Sequence, residues 1–534
     1  MRVTPNAEEL PINVVGSSKF GIYPKISGEK TYNMFISDGW LINMPGWRQI
    51  QQIYPTGQGR GSFVSIRGGF VILVINATVL RWNSDFSVQV IGEMGTSEGE
   101  VFIDENLEAQ ICIVDGTKAY IYNWQLPPNL TVQTGGPIPT DLIPNYVTFQ
   151  NGYLLIGNAL QTGVSTQWYA YIYATATTIS AVTPTSLTLQ TKPDYPIAVV
   201  RIPGLGNNVL VMGNTVSEIW TAVATTEFFI RNQSTNIDYG CISVDTIAFS
   251  DKYVAWLGAN QTNNPSIVVF SGQGFEPIST DGIDDQLSKI KFPAQSTAVM
   301  YKQSGHFFYQ LTFYNPQDNL TLIYDFETKQ FYHGSDQDLN YHPARNIFYF
   351  MGRTFFLSLN NATIYEMSQD FNTINEQTPS NVFPEDPRVN YEQQRLRICE
   401  PIRYPNSQPF ICNEIILNIR QGNENILVND CEVWMIHEDG RRIFSEDNRQ
   451  VIPEWGKPDG CESVYFQGRV DLSLSKDGCE TFSNTVSRDM QPLAHRQNIM
   501  RWEVGGVSND LVPKFRFWSL GSMVVNQAVA VVRL

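Results

Sequence analysis

The feature that most constrains this 534-residue chain is a hairpin that returns at a nearly constant spacing. The run FVILVI ends at Ile75, turns at Asn76-Ala77 and returns as TVLRW to Trp82. The run QICIV turns at Asp115-Gly116 and returns as AYIY to Tyr122. Similar pairs follow: GYLLI from Gly152 with WYAYI from Trp168, NVLVM from Asn208 with VSEIW from Val216, and KYVAW from Lys252 with SIVVF from Ser266. The last are HFFYQ from His306 with LTLIY from Leu320, and NIFYF from Asn346 with TFFL from Thr354 and ATIY from Ala362. Runs of four to seven residues rich in Val, Ile, Phe and Tyr, broken by Asn, Asp and Gly, are strands joined by tight turns.

A shorter strand flanks most hairpins on each side, as FVSI does before the first and VQVI after it. Four strands per unit of about 40 to 50 residues is the pattern of a β-propeller blade. Units begin near residues 62, 99, 146, 197, 244, 296 and 345. The seventh lacks an outer strand of its own, and RQIQQI from Arg48 to Ile53 is available to supply it and close the ring. Closure removes the open sheet edges that invite aggregation. The expectation is an all-β chain built on a β-propeller. Seven blades are favoured, and six stay open because the third unit is irregular. A string of β-sandwiches is the alternative architecture, and the regular spacing argues against it.

The spacing also divides the chain. Residues 1–47 read as an N-terminal arm and ring-entry segment, and 48–367 as the propeller. Residues 368–390, with three prolines among polar residues, read as a linker. Residues 391–534 read as a β-sandwich-like domain, its clearest strands EIILNI from Glu414, EVWMI from Glu432, VDLSL from Val470, IMRW from Ile499, FRFW from Phe515 and a last strand from Ala528.

Charge narrows the function. Acidic residues outnumber basic ones for a net charge of −16, and Arg441-Arg442 is the one adjacent basic pair that stands out. Phosphate recognition needs clustered Lys and Arg, so gripping nucleic acid is not expected. No run of 18 apolar residues is present, and the N-terminus MRVTPNAEELPINVV lacks the pattern of a secretory signal, so synthesis in a cytoplasm is expected. Seven cysteines without a Cys-x-x-Cys give no disulfide framework. Cys399, Cys412, Cys431, Cys461 and Cys479 are too widely spaced for a zinc site, so buried thiols are expected and no metal.

The apparent motifs have plain readings. Gly57-Gln58-Gly59-Arg60-Gly61 precedes a strand instead of opening a helix, so it reads as a turn and not a phosphate loop. The segment SKDGCETF from Ser475 to Phe482 approximates an Asp-box, which stabilises a turn. Arg201, Arg231 and Arg353 have no spacing that groups them as a carboxylate-binding triad. His306, His333, His342, His437 and His495 are scattered, and Asp284-Asp285 reads as a solvated turn. Asn76, Asn319 and Asn361 begin glycosylation sequons but sit where turns need Asn. No catalytic, cofactor or metal residue is assigned, and no cofactor is expected.

Three segments carry a resemblance. They are NMFISDGWLINMPGW from Asn33 to Trp47, and GNNVLVMGNTVSEIW from Gly206 to Trp220 followed by DYGCI. At the C-terminal end, LSLSKDGCETF from Leu472 leads to MRWEVGG and KFRF. Their order resembles the packaged-DNA stabilisation proteins of short-tailed bacteriophages, also called tail hub or nozzle proteins. Residues 1–30 do not match that pattern well. The resemblance implies a non-enzymatic virion protein assembled in the bacterial host cytoplasm. It implies a homo-hexamer that continues the channel of the portal and head-to-tail adaptor, retains packaged DNA and conducts it at ejection without sequence-specific binding. Tail fibres or tailspikes and a tail needle or tip protein would be its partners, with no membrane insertion. Two other classes stay open: a carbohydrate-active, sialidase-like propeller enzyme, and a propeller binding module outside any virion.

Overall fold

The computed structural model describes residues 7–20, 28–133, 143–158, 167–181, 187–223, 228–262, 264–271, 274–371, 374, 393–421, 468–490, 497–519 and 522–534. The strand expected from Glu432, with Cys431, Cys461, His437, His495 and most of 368–390, lies outside them.

Among the described residues the repeat forms seven antiparallel units. Blade 1 is Gly59–Ser65, Phe70–Ile75, Thr78–Trp82 and Val88–Glu93. Blade 2 spans Phe102–Glu105 to Thr131–Gln133, blade 3 Pro144–Gln150 to Thr178–Ala181, and blade 4 Ala198–Arg201 to Phe229–Ile237. In blade 5 the innermost position is split between Gly240–Cys241 and Ala248–Phe249, both paired to Val254–Ala259. Blade 6 holds Ser296–Gln303 to Gln330–His333. Blade 7 takes three strands from Ala344–Ser368 and its fourth from Gly46–Gln52, which pairs antiparallel with Thr363–Ser368. Blade 3 carries two register shifts, as do blades 1 and 7.

The central strands read as unbroken apolar runs because both of their faces are buried. In FVILVI, Phe70, Ile72 and Val74 pack with Ile111, Ile113 and Tyr122 of blade 2. The alternate residues Val71, Leu73 and Ile75 pack with Phe348, Phe355 and Leu357 of blade 7. The same alternation joins blades 2 to 3, 3 to 4, 4 to 5 and 5 to 6. The junction of blades 6 and 7 carries polar contacts: the Thr297 hydroxyl donates to the Arg345 carbonyl at 3.4 Å, and the His342 N–H donates to the Thr321 hydroxyl at 2.9 Å.

Two sequence readings are corrected here. Asp284-Asp285 is not in a turn but in the helix Asp281–Ser288, whose Ile283 and Leu287, one turn apart, are buried with blades 5 and 6. Gly59 and Gly61 belong to the first strand of blade 1 and not to a turn. A Cβ at Gly59 would come 2.5 Å from the Ser358 carbonyl, so glycine permits the close approach of blade 7.

The chain divides into two compact units. Ser17–Asn33 and Pro45–Gln393 form the propeller unit; Met1–Gly16, Met34–Met44 and Gln394–Leu534 form the other. Residues before 48 are thus shared between the two. In the second unit, one sheet runs Met34–Ser37, Trp40–Asn43, Met523–Arg533, Phe410–Gln421 and Gln497–Glu503, with Glu8–Ile12 added along Met523–Arg533. A facing layer contains Arg395–Ile398, Val512–Trp518, Arg469–Ser475 and Val486–Asp489. Alternate residues point inward: Ile415, Leu417, Ile419, Val525 and Ala530 meet Val470, Leu472, Phe515 and Phe517 in one core.

Candidate functional site

The propeller gathers polar chemistry at the inner ends of its blades. Arg60, in the innermost strand of blade 1, is 2% exposed. Its guanidinium donates to the carbonyls of Asn76 (2.8 Å), Thr96 (2.8 Å), Glu98 (2.7 Å) and Gly99 (2.9 Å), and to the Thr96 hydroxyl. These bonds shape the connection from blade 1 to blade 2, which carries Glu98 and Glu100. Arg345, buried in the first strand of blade 7, donates to the Arg60 carbonyl at 3.0 Å and pairs with Asp245 from the 3-10 turn Val244–Thr246 of blade 5.

Two carboxylates therefore share one guanidinium. Burial raises the Glu100 carboxyl to about 8; the neighbouring Asp245 charge adds to this, and Arg345 opposes it. Asp245 is raised for the same first reason, burial, with Arg345 opposing. Burial also pushes the Tyr314 phenol up to about 12. Burial thus disfavours ionisation of both carboxyls, and neither arginine offers a free cation to a ligand. Sequence reasoning missed the cluster because Glu100, Asp245 and Arg345 come from distant units.

The residues singled out in the sequence do not converge. Arg201 lies over the Phe249 ring at 4.3 Å, Arg231 faces Glu218 at 3.6 Å, and Arg353 pairs with Glu366. They occupy the first strand of blade 4, the fourth strand of blade 4 and the second strand of blade 7. His306 Nδ1 is 2.8 Å from Asp325 and His333 Nδ1 is 2.8 Å from the Ser18 hydroxyl. His342 packs its ring against Trp47 and Phe356. Cys399 and Cys412 are buried and Cys479 is half-buried. No group of three or more His, Cys, Asp or Glu able to hold a metal occurs among the described residues. In SKDGCETF, the Ser475 hydroxyl accepts from the Cys479 N–H at 2.9 Å and Asp477 accepts from the Thr481 N–H at 3.0 Å, which closes a turn. Hydrogen bonds from the Thr481 hydroxyl, the Thr481 N–H and the Ser475 hydroxyl hold the Asp477 carboxyl well below the usual range.

A surface feature also escaped the sequence reading. At and beside the turns between first and second strands, three consecutive blades present exposed apolar residues: Tyr349, near the end of its strand, and Met351 on blade 7, Ile66 on blade 1 and Leu107 on blade 2. Ile66 is 89% exposed and Tyr349 68%. The corresponding turns of blades 3 and 6 are Asn151-Gly152 and Ser304-Gly305. Arg67 donates to the carbonyls of Asn106 (3.1 Å) and Leu107 (2.7 Å), so the tips of blades 1 and 2 are fixed to each other. The available signal was apolar residues at turn positions.

Comparison with solved structures returns propellers at low identity. Virginiamycin B lyase from Staphylococcus aureus is 12% identical, covering 61% of this chain and 99% of that one, with a TM-score of 0.41. The extracellular domain of the putative one-component system BT4673 from B. thetaiotaomicron is 11% identical over 62% of this chain and 41% of that one, TM-score 0.39. The WD40 β-propeller domain of Doa1 is 12% identical over 61% and 97%, TM-score 0.36. No curated protein matches the chain. The model of a phage stabilisation family, described as "Bacteriophage P22 Gp10, beta-propeller", matches residues 29–372, from ahead of the closing strand through blade 7. The chain belongs to that family of bacteriophage β-propeller stabilisation proteins.

Proposed function

We propose that this protein is a structural component of a phage tail hub or nozzle and not an enzyme. Six copies form a ring that continues the portal–adaptor channel, retains packaged DNA and conducts it at ejection. The ring is assembled in the host cytoplasm and carried in the virion tail. Family membership supports the class, and the net charge of −16 supports the mechanism. Arg60, Arg345, Arg395 and Arg397 are all buried, and each donates to backbone carbonyls. These four arginines are not available to phosphates, and the chain as a whole carries a net charge of −16. An acidic wall repels phosphates and lets DNA slide without sticking. The apolar tips of blades 7, 1 and 2 support a docking face for a fibre, spike or needle protein.

The test is the mass of the full chain, alone and mixed with its portal–adaptor complex. Six copies per complex are expected. A chain that stays monomeric and ignores the complex would support a binding module outside the virion instead.

A further inference from the structure

We infer that the seam between blades 7 and 1 holds a binding cleft for a neutral saccharide. The cleft, about 640 Å³, is lined by Gly57, Gln58, Asn76, Ser97, Glu98, Leu359 and Asn360. That size accommodates one or two sugar rings.

Hydrogen bonds within the protein orient two of its side-chain amides. Asn76 accepts the Gln58 N–H at 3.1 Å through Oδ1, which turns its Nδ2 donor toward Gly57. Gly57 has φ +133°, and a Cβ there would lie 2.7 Å from that Nδ2, so only glycine leaves the amide room. Asn360 accepts the Tyr341 hydroxyl at 2.7 Å through Oδ1, which again leaves Nδ2 as a donor. Glu98 is exposed, and its backbone carbonyl is held by Arg60. The rim thus offers two amide donors, one carboxylate acceptor and the half-buried Leu359.

This set selects by elimination. An anion meets the Glu98 carboxylate. A metal cation meets two N–H donors and a single carboxylate, too few oxygens to replace its water. A neutral ring with adjacent hydroxyls satisfies all three: it donates to Glu98, accepts from Asn76 and Asn360, and lays a C–H face on Leu359. The cleft residues are distinct from Ile66, Leu107, Tyr349 and Met351 at the blade tips.

The test is saturation-transfer NMR on the full chain. The probes are the methyl glycosides of glucose, galactose, mannose and rhamnose, with N-acetylneuraminic acid and glycerol as charged and small-polyol controls. At least one neutral glycoside is expected to bind with a dissociation constant on the order of millimolar, while both controls fail. Asn360→Ala is expected to weaken it by about tenfold, the worth of one hydrogen bond. Glu98→Gln should weaken it similarly and reduce the discrimination against the anionic sugar. Both positions are exposed, and unchanged melting curves check that the variants fold. Three outcomes overturn the proposal: no neutral glycoside binds, binding survives both substitutions, or N-acetylneuraminic acid binds best.

Discussion

At the scale of single residues, the fold carries two opposed responses to pH. Burial lowers His333 and His342 from 6.5 to about 3. Between those values the unfolded chain takes up protons that the folded chain refuses. Their contribution is fully present above 6.5 and is lost as pH falls toward 3, at about 1.4 kcal/mol per pH unit for each ring. Glu100 acts the other way. Its pKa is raised from 4.5 to about 8, so folded protein holds a proton that unfolded chain has released, and stability falls as pH rises through that window. Denaturation midpoints measured against pH should therefore fall on both sides of a near-neutral maximum. His342→Leu should make the acid side shallower, and Glu100→Gln should flatten the alkaline side. An unchanged acid limb in His342→Leu would falsify the assignment of that limb. These residues were in plain view in the sequence, but their burial was not. Nothing near His342 says that Trp47, almost three hundred positions away, covers it.

At the scale of elements, what was legible was what is periodic. FVILVI and QICIV announce strands with two buried faces, and the turns at Asn76 and Asn319 are real: both residues have positive φ, 50° and 37°. The strand inferred from Arg48–Ile53 is the one that completes blade 7. The strands Glu8–Ile12 and Trp40–Asn43 were not legible. Both pair with Met523–Arg533, and a short local pattern holds no record of a partner at the far end of the chain. The ring closure has its own anchor. Trp82 of blade 1 is fully buried among Phe348, Phe350 and Phe355 of blade 7, and its indole N–H donates to Gln51 of the closing strand at 2.9 Å. Trp82→Ala is expected to cost about 3–5 kcal/mol in denaturant unfolding, as large-to-small changes in tight cores do. A loss below 1 kcal/mol, about the cost of a surface change, would mean the seam is not tightly packed. The exposed tips should behave in the opposite manner. Ile66→Asp with Tyr349→Asp should leave the melting temperature unchanged and reduce attachment of the fibre or spike by tenfold or more, about the weight of a buried interface anchor. Normal attachment by the double variant would remove the tips from the docking face.

At the scale of the whole molecule, the distribution of charge unites the account. A blade repeat can serve an enzyme, an adaptor or a wall, and fold alone does not choose among them. Here Arg60 and Arg345 of the blade interiors are bound to carbonyls and a carboxylate, and the chain as a whole carries a formal charge of −16. The inner ends of blades 1, 5 and 7 are tied together by Arg60, Arg345 and Asp245, so DNA is expected to pass between copies and not through a propeller axis. Electron microscopy of the full chain assembled on its portal–adaptor complex tests this most directly. The account predicts a six-fold ring whose central channel is lined by acidic surfaces of neighbouring copies. A monomeric appendage, or a channel lined by Lys and Arg, would contradict it.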